Sequence, residues 1–124
     1  MKPTDASYIA ALIDTIGSIK IEPPKKSEIS CLYVRVIRSD FKLMEYLQRA
    51  GAYIIDLGEG RFEAKWKDHK AYYLLKSIII FSQLKKEQMA VGIEFFEVKT
   101  KEPKEEKFDI PFRLRLKLLR QAEK

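Results

Sequence analysis

The sequence predicts an α+β fold around one four-stranded antiparallel sheet, and three observations carry that prediction. Extended segments rich in β-branched and aromatic residues occur in two adjacent pairs, each joined by a short Pro- or Gly-containing turn. One of them, Arg61 to Lys67, alternates polar and apolar residues without a break. Segments of helical periodicity precede, separate and follow the two pairs, giving the order α-β-β-α-β-β-α-α with an additional C-terminal helix.

Thr4 or Asp5 can N-cap a first helix that runs to about Ile16, and Gly17 can close it with a positive φ. Ser18 to Glu22 alternates as a strand with one wet face, Pro23 to Ser27 reads as a turn, and Glu28 to Arg38 as the second strand. Ser39-Asp40 opens a helix with Phe41, Leu43, Met44 and Leu47 on one side, ending at Ala50-Gly51. Ala52 to Leu57 and Arg61 to Lys67 form a hairpin about Gly58-Glu59-Gly60, with Phe62, Ala64 and Trp66 on the core side. Asp68 caps a helix from His69 to about Phe81, and another runs from about Lys85 to Val98. Tyr8, Tyr46, Tyr72 and Tyr73 fall at helical core spacing, and Ser77 to Ser82 reads as a buried helix turn. Lys99 to Lys107 is a charged, Pro-containing linker, and Asp109-Ile110-Pro111 starts a last helix, Phe112 to Lys124. Residues 1–98 thus read as the principal domain, with linker and basic C-terminal helix, 99–124, packed on it.

With 124 residues, 46% of them hydrophobic, the chain can bury a core as one domain. No apolar run reaches the roughly 20 residues of a membrane span. A single cysteine, Cys31, excludes an intramolecular disulfide framework and suits a reducing cytoplasm, and a single histidine makes a His/Cys metal site implausible. The net charge of +6 is compatible with a polyanionic partner without requiring one. Asn is absent and 34% of residues are charged, which is the trend of heat-adapted proteins. A thermophilic source is the expectation, and a melting midpoint of about 50 °C, ordinary for a mesophilic domain, would contradict it.

The run Ile9-Ala10-Ala11-Leu12-Ile13-Asp14-Thr15-Ile16-Gly17 resembles the signature helix of the LAGLIDADG homing endonucleases. The hydrophobic positions, the small pair, the first acid and the closing Gly agree. The second acidic position, which in that family binds the divalent metal for DNA cleavage, is Ile16 here. A second segment, Phe81 to Gln88, is similar to the family's stretch after the fourth strand, with Lys85 at its active-site lysine position. Arg38 falls where the family often has a Gln near the attacking water. The resemblance covers about residues 5 to 98 and matches the element order of single-motif members.

What the resemblance implies is a saddle-shaped sheet that lies along duplex DNA, with one motif per chain and therefore a homodimer. Ser7, Ala11 and Thr15, and likewise Ala6 and Ala10, are spaced by four and make a flat helix face; it can pack on the chain's own sheet or against a second copy. The interface candidates are Ser7, Ala10, Ala11 and Asp14. Asp14 is either a surviving metal ligand or a polar group closing a helix end. Ile16 has no lone pair, so no metal and no cofactor is assigned; Mg²⁺ enters only if Asp14 or Glu22 replaces the missing acid. Arg38 and Lys85 can then hold phosphate without chemistry. Strand alternation places Lys20, Glu22, Tyr33, Arg35, Arg61, Glu63, Lys65 and Lys67 on the reading face, where the alternative for Arg61–Lys67 is a merely solvated strand. The expected activity is sequence-specific binding of double-stranded DNA without cleavage, as in a transcriptional regulator. An active endonuclease, an RNA-splicing maturase and a dimeric scaffold are the rivals. Arg113, Arg115, Lys117 and Arg120 make the last helix a second basic element, packed on the body or extending the dimer contact.

Overall fold

The computed structural model describes residues 1–23, 30–101 and 108–122. Its elements run α1 (Pro3–Ile16), β1 (Gly17–Glu22), β2 (Cys31–Arg38), α2 (Phe41–Arg49), β3 (Tyr53–Gly58), β4 (Arg61–Lys67), α3 (His69–Ile78), a 3₁₀ turn (Ile79–Phe81), α4 (Lys86–Lys99) and α5 (Ile110–Ala122). The strands form one antiparallel sheet in the order β1-β2-β4-β3. The element order is the one the periodicities predict. Most of the turn at 23–27, most of the linker, and the ends of the second strand and last helix lie outside the described residues.

The core is one alternation set of the sheet, Ile19, Ile21, Leu32, Val34, Val36, Ala64 and Trp66, covered by buried residues of α1 to α4. Half-buried Phe62 packs against the same cluster. Gly92 lets α4 lie close to the sheet, because a Cβ there would sit 3.0 Å from Leu75 and 3.1 Å from Leu32. Phe112 and Leu116 fasten α5 to α4, with the Phe112 ring edge-on to Phe95 at 5.7 Å. Arg120 reaches past the sheet margin and donates to the Ile19 carbonyl of β1 at 3.3 Å. Among the described residues, no helix is long and apolar enough to cross a membrane.

Local chemistry departs from the sequence expectations at several joints. Helix α1 begins at Pro3, and neither Thr4 nor Asp5 caps it; Lys2 holds the N-cap place without a side-chain bond. Proline suits the first helical position, where its missing N–H would have had no helical partner and its fixed φ is already helical. Asp5 instead accepts from the Tyr46 hydroxyl at 2.7 Å. Gly17 is extended, with φ −88° and ψ 169°, rather than left-handed. Its place is set by space, since a Cβ would lie 2.7 Å from the Ile13 Cα. Asp40 does cap α2, accepting from Leu43 N–H at 3.1 Å.

Asp68 stands at the start of α3 with φ 52° but makes no capping bond. Its carboxylate accepts from Leu32 N–H and pairs with Lys99 at 2.9 Å, tying β2 to the end of α4. Lys99, expected in the linker, is therefore part of α4. The stretch expected as a buried turn ends as 3₁₀, and Ile80 within it is 71% exposed. Tyr8 and Tyr73, expected in the core, are also exposed, as is Phe41 on α2. The hairpin turn is as its glycines require: Gly58, Glu59 and Gly60 all have positive φ, the twist that suits a two-residue connection.

Candidate nucleic-acid interface

Register decides which side chains share the sheet's other face, because residues directly opposite in an antiparallel pair project the same way. Ser18, Arg35, Lys65 and Tyr53 form one row across all four strands, and Lys20, Tyr33 and Lys67 form the next. Ile37, Glu63 and Ile55 form a third. Arg61, paired with Gly58, lies at the hairpin end. The residues expected on the reading face all share it; Glu22, whose Cα partner is Cys31 at the far end of β1, falls here by alternation.

Exposure separates these residues. Arg61 and Lys67 are exposed, while Lys20, Glu22, Arg35 and Lys65 are half-buried. Tyr33 and Glu63 are buried at 4% and 8%, which the alternation pattern did not foretell. Tyr33 is held by its neighbours: its hydroxyl donates to Glu22 Oε1 at 2.8 Å, and Lys65 Nζ is 4.3 Å from its ring centre, within cation–π range. Burial, with the Glu22 hydrogen bond, pushes the phenol pKa up to about 12. Burial and the nearby Arg35 and Arg120 cations lower the Lys20 pKa, against the pull of Glu22. Arg35 Nε donates to Ser18 Oγ at 3.4 Å. Arg35 and Lys65 thus flank the Tyr33 ring at the middle of the face.

The end of α1 is a different arrangement. Asp14 is buried and accepts four hydrogen bonds, from the Ser82 hydroxyl at 2.6 Å and from the N–H groups of Gln83, Leu84 and Lys85 at 2.6, 3.2 and 3.1 Å. Burial raises its pKa, but these donors together outweigh it and hold the carboxyl below the usual range. In return, Lys85 Nζ donates to the carbonyls of Ile13 and Gly17 at 3.1 and 2.6 Å. The segment leading into α4 and the end of α1 are thus bonded to each other in both directions. Asp14 binds the segment that leads into α4, not the end of its own helix. Lys85 is buried and turned inward, so the phosphate contact implied for it is not presented here.

A divalent cation does not fit this end. Ile16 offers no donor atom, both Asp14 oxygens are engaged, and Glu22 is occupied with Tyr33. Among the described residues, no three His, Cys, Asp or Glu side chains stand together as a metal site. Arg38 shares the parity of Val34 and Val36, so it leaves the sheet on the helix side, exposed and beyond the end of β1, apart from the Arg35 row. A recess of about 540 Å³ opens beside the clasp, walled by Thr15, Gln83, Lys86 and, from α5, Leu119 and Ala122. Of the proposed interface residues on α1, Ser7 and Ala11 are exposed along with Thr15, whereas Ala10 and Asp14 are buried within the chain.

Similarity to solved structures accounts for this architecture. The chain resembles the homing endonuclease I-CvuI, solved in complex with DNA, with a TM-score of 0.72 and 13% identity over 97% of this chain and 80% of that one. It resembles the archaeal intron-encoded homing endonuclease I-Vdi141I, complexed with DNA, with a TM-score of 0.68 and 15% identity over 97% and 82%. The fold is that of the homing endonucleases. The LAGLIDADG meganuclease I-AabMI, bound to uncleaved DNA, shares it with a TM-score of 0.70 and 16% identity over 90% of this chain and 43% of that one. The sequence itself matches no family model. It matches no curated protein either. Fold is shared at this distance; the activity has to be argued from the residues of the homing-endonuclease sheet and of the α1 end.

Proposed function

We propose that this protein is a catalytically degenerate LAGLIDADG-type protein that binds double-stranded DNA sequence-specifically as a homodimer, in the manner of a cytoplasmic transcriptional regulator. The observation that carries the reading is the uncovered sheet face, on which Lys20, Arg35, Arg61, Lys65 and Lys67 are aligned by strand register. Cations on a two-stranded ribbon fit the major groove, where Arg and Lys meet guanine O6 and N7. Glu22 and Glu63 would repel a backbone-only ligand, which favours contact with base edges over indiscriminate phosphate binding. The exposed line Ser7, Ala11 and Thr15 supports a close helix–helix contact between two copies. Residues 1–98 then serve as the DNA-binding unit, with the charged linker and basic C-terminal helix of 99–124 as an addition to it, α5 packing through Phe112 and Leu116.

The proposed loss of cleavage rests on a chemical argument. Two-metal hydrolysis needs carboxylates free to place cations against the attacking and leaving oxygens. Here one position is Ile16, and the remaining acid, Asp14, is committed to four donors.

The test is incubation with a randomised duplex library, with and without Mg²⁺, recovering bound and cut molecules. Enrichment of a near-palindromic site of about 20 base pairs, two half-sites one turn apart, without cut ends is the expected result. Metal-dependent ends would restore the endonuclease reading, and preference for structured intron RNA the maturase reading. Lys65→Ala and Arg35→Ala should each weaken binding to the selected site by about 1–3 kcal/mol. Unchanged affinity in both, measured by titration at fixed salt, would remove this face from the reading.

A further inference from the structure

The third row of the sheet face and the outer strand differ in character from the cation rows. Tyr53 and Ile55 alternate on β3, an edge strand, and are 60% and 42% exposed. Ile55 stands opposite Glu63, which stands opposite Ile37, so two isoleucines flank the buried Glu63 on the same side as Arg35 and Lys65. Tyr53 is opposite Lys65, and the Lys70 ammonium lies 4.7 Å from its ring centre. Leu57, at the irregularity between Asp56 and Gly58, continues the exposed run along the strand at 40%.

Single exposed apolar residues need no explanation. An aligned group in continuous register with a row of cations does. The core cannot claim it, because the core takes the opposite alternation set. A ligand for the whole face must present negative charge and hydrogen-bond acceptors beside small apolar knobs. The major groove of DNA does so: guanine offers O6 and N7, the backbone offers phosphate, and the apolar landmark of the groove is the C5 methyl of thymine.

We infer that Tyr53 and Ile55 read thymine methyl groups, so that the site this face selects carries T·A pairs at fixed positions beside those read by Arg35 and Lys65. The inference deepens the DNA-binding reading and rests on it. Burying one methyl in an apolar contact corresponds to roughly fourfold in affinity.

The experiment uses two randomised duplex libraries of one design, synthesised with thymine or with uracil, which differs only in lacking that methyl. The full chain is expected to enrich T·A pairs at fixed positions from the thymine library. It should bind the selected site about fourfold more weakly for each contacted thymine changed to uracil. Ile55→Ser, a change at an exposed position, should abolish the thymine-over-uracil preference at one position of each half-site while leaving the slope of affinity against salt unchanged. Equal binding of thymine and uracil forms by the unaltered protein, or a preference that survives in Ile55→Ser, overturns the inference while DNA binding stands. Recovery of no duplex from either library overturns the DNA-binding reading and this inference together.

Discussion

Asp14→Ala should lower the free energy of unfolding by about 3–5 kcal/mol, the largest change from any polar replacement in this chain. The carboxylate serves four donors, three of them backbone N–H groups at the entry to α4 that have no helical partner. Alanine leaves those donors buried or half-buried without an acceptor, and it also frees the end of α1 that Lys85 grips from the other side. Denaturant unfolding followed by helical circular dichroism measures the loss; a change below about 1 kcal/mol would mean that water replaces the carboxylate at little cost.

The same group fixes a pH dependence. Its carboxyl lies below the ordinary 3.8 in the folded chain, so the stabilisation is present above that pH and is lost as the pH falls through the folded value. The gap in stability between the natural chain and Asp14→Asn should therefore hold steady at neutral pH and narrow below about pH 4. A gap that widens with acid would reverse the assigned sign.

Trp66→Ala is expected to cost about 3–5 kcal/mol through the cavity left under the sheet. The indole is 1% exposed, sits opposite Val34, and donates its Nε1–H to the Ala50 carbonyl at 3.2 Å where α2 ends. It therefore joins β4 to the α2–β3 connection. Trp66→Phe retains most of the ring but leaves that carbonyl without this donor, at about 1–2 kcal/mol. The comparison of the two variants by urea midpoint separates volume from hydrogen bonding; equal losses would assign the whole effect to the hydrogen bond.

The legible parts of this molecule are those set by short-range periodicity. Arg61 to Lys67 announces both its strand and its inward residues because alternate side chains must part to opposite faces. The Asp40 cap is legible because the cap and the N–H it accepts from, that of Leu43, lie three residues apart. What was not legible depends on neighbours brought together by the fold. Tyr33 reads as an outward residue and is outward, yet Glu22 and Lys65, on two other strands, cover it. Lys85 reads as a cation for phosphate, and nothing local reveals that the carbonyls of Ile13 and Gly17 reach it first. The start at Pro3 and the extended Gly17 show a related limit: residue type narrows the local options, and packing against Ile13 selects among them.

The clasp between Asp14 and the segment from Ser82 to Lys85 joins positions 68 to 72 residues apart. During synthesis, the first helix therefore leaves the ribosome long before the groups that secure its end exist. Contacts of such separation slow folding, because the intervening chain must first be brought together. Until Lys85 has emerged, the Asp14 carboxylate lacks its donors and the Ile13 and Gly17 carbonyls lack the Lys85 ammonium, although the strands, α2 and α3 are already available to cover the apolar side of α1. A nascent chain halted within α3 would carry an unsecured motif helix, a natural target for chaperone capture, and the domain would become protease-resistant in one late step rather than strand by strand.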